Sequence, residues 1–172
     1  MTVTPLHMRD GNQDPLIIGL MISLHIVGMY AFSPLIGRIA DRISKELLIG
    51  IGAIIAAIGS EIASHTEAPD AAGHMIGLFL IGIGWCSSLV AGSALMTEAF
   101  PPEVRVATQS TSDVLMTATG AVAGISSGLA VEQRSYHDLA HWAALVAVFL
   151  AVIASIAVVQ QSRIRESEVD PQ

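Results

Sequence analysis

The sequence predicts an all-α, polytopic membrane protein with five transmembrane helices. Three observations carry that expectation. The 172 residues are 52% hydrophobic and only 13% charged, against about 25% charged in an average soluble domain. Mean hydropathy is +0.63. The charges are also clustered, leaving apolar runs at about 15–37, 46–64, 74–100, 106–131 and 137–161. Each is long enough for a hydrocarbon core, which takes about 20 helical residues. Residues 1–14 then form an extracytoplasmic segment and 162–172 a cytoplasmic tail. The first 14 residues show no basic start followed by an apolar stretch, so no cleavable signal is read there.

Along the chain, Pro15 suits the first turn of a helix, and Pro34 kinks or ends the first run. The second run, LLIGIGAIIAAIGS, is short and rich in small residues, with Glu61 near its end. The third closes at Pro101-Pro102. The fourth, VATQSTSDVLMTATGAVAGISSGLA, is not lipid-like, because its polar groups are costly against acyl chains and belong against protein or a watery cavity. The fifth, LAHWAALVAVFLAVIASIAVV, is apolar nearly all round. The second and fifth therefore read as peripheral, and the first, third and fourth as a lining.

Basic residues orient the chain. Arg38, Arg42, Lys45, Arg105, Arg163 and Arg165 fall on one side of five crossings, and Arg9 and Arg134 on the other. Cytoplasmic connectors collect Lys and Arg, which puts the N-terminus outside and the C-terminus inside an inner membrane.

Candidate functional residues lie within the lining. Helical spacing from Asp113 aligns Gln109, Thr117, Gly120, Gly124 and Gly128 on one face. The glycines form a GxxxGxxxG stripe that lets another helix approach closely. It reads either as plain packing or as a sliding contact. Intramembrane carboxylates mark ion or substrate pathways, so Asp113 and Gln109 are cavity candidates. The alternative is a carboxylate satisfied locally by Gln109 and Thr117. His25, central in the first run, is either hydrogen-bonded to a neighbour or a titrating, substrate-contacting group. Trp85 lines a cavity or fills volume, and Trp142 is an interfacial anchor. His7, His65, His74, His137 and His141 collect on the outer side. His137 and His141 share a face, but no third ligand is fixed, and no metal or other cofactor is expected. The lone Cys86 allows no intrachain disulfide or CxxC site. Nothing is basic enough for nucleic acid, and no paired acid and base suggest an enzyme.

The run GRIADRISKE, residues 37–46, resembles the signature loop of the major facilitator superfamily. Gly37, Ile39, Ala40, Asp41, Arg42 and Lys45 match. Ser44 stands where glycine is usual, and Glu46 where a second basic residue is usual. TEAFPPEVRVATQS resembles the acidic-Pro-Arg connector after the fourth or tenth helix, with Glu98, Pro101 and Arg105 in order. SLHIVGMYAFSPLIGRIADR is similar to the eighth helix of a bacterial branch. The resemblance implies helices eight to twelve of a twelve-helix transporter, a C-terminal portion whose N-terminal half is the missing partner. It implies alternating access for a small-molecule substrate, with Gly37, Asp41, Arg42 and Lys45 as a gating loop. The Asp41 partner would lie in the missing half. Proton-coupled efflux is one form of that activity. A non-transporting five-helix scaffold or partner subunit is the rival reading.

Overall fold

The computed structural model describes Arg9, residues 13–67 and 70–133, and scattered positions between 141 and 156. The expected crossing at 137–161 falls largely outside the described residues. So do nearly all of segment 1–14, the tail 162–172, and Arg134, Arg163, Arg165, His7 and His137.

The described residues form α-helices and connectors: α1 (Pro15–Tyr30), α2 (Ser33–Ala40), α3 (Lys45–His65), α4 (Ala71–Ala99) and α5 (Pro102–Gln133). The first apolar run is thus two helices rather than one. Pro34 has no N–H to offer the carbonyl one turn back, at Tyr30. The Ser33 hydroxyl donates to that oxygen instead, at 2.9 Å. The backbone restarts when the Leu35 and Ile36 N–H groups donate to the Phe32 carbonyl at 3.0 and 2.9 Å.

Each start has a local cause. Asp14 caps α1 by accepting from the Leu16 N–H at 2.8 Å, with Pro15 in the first turn. Ser44 caps α3 through the Leu47 N–H at 3.3 Å. An N-cap needs an oxygen-bearing side chain to satisfy an orphan donor, which gives Ser44 a job that glycine could not do. Asp70 caps α4, accepting from Ala72 and Gly73. Pro102 opens α5, where its missing N–H costs nothing.

Pro15–Ala40, Lys45–His65 and Ala71–Ala99 are long and apolar enough to cross a membrane. With 32 residues, α5 matches them in length but is more polar. Several of its hydroxyls are folded back onto its own backbone: Thr108, Thr111 and Thr117 donate to the carbonyls four residues earlier at 3.0, 2.8 and 2.8 Å. That geometry lets a polar helix sit in an apolar medium without orphaned hydroxyls. The 29 residues of α4 span about 44 Å at 1.5 Å per residue. A hydrocarbon core is about 30 Å thick, so both ends of α4 reach past it.

The centre of the fold is α4, against which α1, α2, α3 and α5 all pack. Between α3 and α4 the contact is made by backbone. A Cβ on Gly52 would lie 2.7 Å from the Gly84 carbonyl oxygen, and one on Gly59 would lie 2.5 Å from that of Gly77. Reciprocally, a Cβ on Gly84 or Gly77 would strike the carbonyl of Gly52 or Gly59. The two glycines of each helix are two turns apart, so both pairs fall on one seam of the antiparallel helices. A third close approach joins α1 to α4, where Gly28 meets Phe79 and Gly82 meets the His25 carbonyl. Among lipids no hydrophobic force pulls helices together, and close van der Waals contact between small residues supplies the attraction. The opposite face of α3 exposes Leu47, Ile51, Ile54 and Ile58, the composition an acyl chain solvates.

Two buried clusters flank this seam. Ile36, Ala40, Leu48, Cys86 and Ala91 fill the end near the basic connector. Met21, Ala63 and Leu78 fill the other.

Candidate functional site

The N-terminal, polar half of α5 leans on α4 from its midpoint onward and leaves a cavity of about 470 Å³ between them. Trp85, Ser88 and Ser93 reach it from α4, and Gln109, Ser112 and Asp113 from α5. Three of the four residues proposed from sequence as cavity groups, Trp85, Gln109 and Asp113, therefore share one space. The Gln109 amide donates to Asp113 Oδ1 at 3.1 Å and toward Ser93 Oγ at 3.5 Å. The carboxylate is thus oriented by a neighbour one turn away and tied through it to α4. The Trp85 ring meets Tyr30 edge-on, with centroids 5.8 Å apart and planes at 69°. A second, more open cleft of about 780 Å³ continues along α5 past Thr108, Thr111 and Leu115.

His25 is elsewhere. It is only 6% exposed, and its Nδ1–H donates to the Leu78 carbonyl at 2.6 Å. A carbonyl only accepts, which fixes the proton on Nδ1. The ring pins α1 to α4 and does not line the cavity.

At the basic end of the bundle, two connectors meet. Lys45 Nζ lies 2.7 Å from Glu98 Oε1, joining the signature-like loop to the end of α4. Arg105 Nε donates to the Phe100 carbonyl at 2.8 Å, closing the turn around Pro101-Pro102. Asp41 and Arg42 are exposed and, among the described residues, make no ion pair. Gly37 has open space where a Cβ would stand. On α5, Gly120 and Gly128 likewise have nothing within 4 Å, so among the described residues no helix covers these two positions.

At the opposite end of α3, Glu61 lies 3.2 Å from His141 Nδ1 and 3.6 Å from His65 Nδ1. Among the described residues no group of three His, Cys, Asp or Glu side chains is arranged to hold a metal ion.

The paired glycines of α3 and α4 were not singled out from sequence. Their signal was present as glycines two turns apart in LLIGIGAIIAAIGS and again in α4, but it needs both helices to be read together.

Closely packed helices long and apolar enough to cross a membrane define a multi-pass membrane protein. The chain belongs to the Major Facilitator Superfamily, whose family model matches residues 1–171. Over 151 residues it is 36% identical to the MFS-type transporter YddS of Bacillus subtilis, covering 87% of this chain and 34% of that one. Over 136 residues it is 34% identical to the MFS-type transporter YdeG of the same organism, covering 79% and 32%. Similarity extends to the riboflavin transporter RfnT of Brucella anthropi, 26% identical over 157 residues, covering 91% and 38%. The chain thus spans about a third of the length of the curated relatives it matches. No solved structure matches it at a comparable level.

Proposed function

We propose that this chain forms one wall of a solute pathway in a secondary transporter working by alternating access, in an inner membrane. The observation that carries the reading is the convergence of Asp113, Gln109 and Trp85 on one cavity between α4 and α5, in a chain of this family. Substrate sites in such proteins lie near the bilayer midplane between repeats. The remaining two thirds of a typical relative's length supplies the facing wall and covers the exposed face of α5, including Gly120, Gly124 and Gly128. Arg38, Arg42, Lys45 and Arg105 gather at one end of the bundle, which supports a cytoplasmic position for that end by the positive-inside rule. The N-terminus is then outside and the C-terminus inside.

In this reading Gly37, Asp41, Arg42 and Lys45 are the gate. Lys45 is engaged with Glu98, while Asp41 and Arg42 face outward, available to the other half of the transporter. Asp113 is the coupling and substrate-contacting group. His25 holds the scaffold that positions it.

Solute uptake into vesicles containing the complete gene product tests the assignment. Asp113→Asn is expected to change the pH dependence or substrate affinity. Asp41→Asn is expected to slow transport without loss of inserted protein. Wild-type rates and profiles in both variants would remove these residues from the mechanism, and no gradient-driven movement of any solute would favour the scaffold.

A further inference from the structure

We propose that the cavity between α4 and α5 binds a planar aromatic monocation, with Asp113 as its counter-charge and Trp85 as its aromatic contact. The proposal rests on the reading that this cavity is on the solute pathway, and it goes further by fixing the sign of the ligand's charge.

The first ground is electrostatic. Asp113 is the one ionisable side chain among the described lining residues; none of them is Lys, Arg or His. Asp113 is exposed, and its carboxylate attracts a cation and repels an anion across an otherwise uncharged lining. Among the described lining residues an organic anion would find serine hydroxyls and no positive partner.

Hydrogen-bond direction points the same way. The Gln109 amide N–H groups are directed at Asp113 Oδ1 and Ser93 Oγ. The Gln109 N–H groups are therefore spent within the wall. What Asp113 and Gln109 offer a ligand is acceptor capacity, at the second carboxylate oxygen and the amide oxygen. Such a wall suits a ligand bearing positive charge or N–H groups.

The third ground is the shape and softness of the rest. Trp85 is the best cation–π partner among the side chains, and its ring is steadied by the edge contact with Tyr30. Leu89, Met96 and Met116 complete the apolar lining, and thioethers make favourable contacts with aromatic rings. A volume of about 470 Å³ falls in the range that encloses a drug-sized molecule.

Three bicyclic aromatics of one size and different charge test this: N-methylquinolinium, 2-methylnaphthalene and 2-naphthoate. The chain carries two tryptophans, so a Trp142→Phe background makes quenching of Trp85 the readout in lipid nanodiscs. The cation is expected to quench saturably and to bind at least about tenfold more tightly than the anion, about 1.4 kcal/mol. Asp113→Asn should abolish that preference, Asp113→Glu should keep it, and Glu103→Gln, on the exposed first turn of α5, should leave it unchanged. Equal or tighter binding of 2-naphthoate overturns the proposal. So does a cation preference that survives Asp113→Asn, or no saturable binding of any of the three. Because the readout is binding, those failures leave the transport reading to the uptake assay, and loss of uptake leaves the binding result standing.

Discussion

Gly52 and Gly84 bring the backbones of α3 and α4 into direct contact: a Cβ on Gly52 would fall 2.7 Å from the Gly84 carbonyl oxygen. No side-chain rotation relieves such a clash, because the obstacle is main chain. Gly52→Ala is therefore expected to destabilise the bundle by about 1–3 kcal/mol, the usual cost of overpacking. In this chain by itself, where nothing lies within 4 Å of a Cβ on Gly120, Gly120→Ala should be neutral or gain about 0.5–1 kcal/mol, because alanine is the better helix former. Denaturant unfolding followed by circular dichroism compares the two, and equal effects would show that the seam is not where α3 and α4 meet.

The pair Lys45–Glu98 links two connectors 53 residues apart in sequence. Its side chains are 20% and 62% exposed, so its contribution to stability is small, about 0–1 kcal/mol, and falls with salt. Its larger effect is geometric. Lys45→Glu and Glu98→Lys should each slow transport, and the double swap should recover part of the loss. A double-mutant cycle on uptake rates measures this, and fully additive losses would mean that the two residues act separately.

His25 acts through one hydrogen bond. Removing it with His25→Leu deletes one buried interhelical bond while the Leu78 carbonyl keeps its place in the α4 ladder, which costs about 0.5–1.5 kcal/mol. His25→Asn can put an amide N–H near the position of Nδ1 and should retain part of that stability. Substrate affinity should change in neither variant beyond what reduced folding explains. A selective loss of affinity in well-folded His25→Asn would return this residue to the pathway.

These residues also show what could be read without coordinates. Composition and the spacing of apolar runs are enough for an all-helical membrane protein, because a bilayer demands long apolar helices. GRIADR carries the family because its residue types recur in fixed order. The break at Tyr30–Phe32 was legible as Pro34, though not as a clean split into α1 and α2, since the replacement bond from Ser33 depends on its rotamer. The partner of His25 was hidden because a backbone carbonyl carries no residue-specific signal. The glycine seam was hidden for a related reason. GAVAGISSG advertises a stripe within one helix, whereas Gly52, Gly59, Gly77 and Gly84 become a contact only when α3 and α4 are laid antiparallel.

The most direct test of the account is whether the α4–α5 cavity is wet while the outer face of α3 is in lipid. In a Cys86→Ala background, Ser112→Cys and Ile54→Cys are each exposed to a membrane-impermeant thiol reagent in sealed vesicles of the complete transporter. Ser112 lines the cavity, and Ile54 lies on the bare apolar face of α3. Rapid labelling at 112, slowed by bound solute, with no labelling at 54 is the expected result. Labelling at 54 with an inert 112 would contradict a solute pathway between α4 and α5.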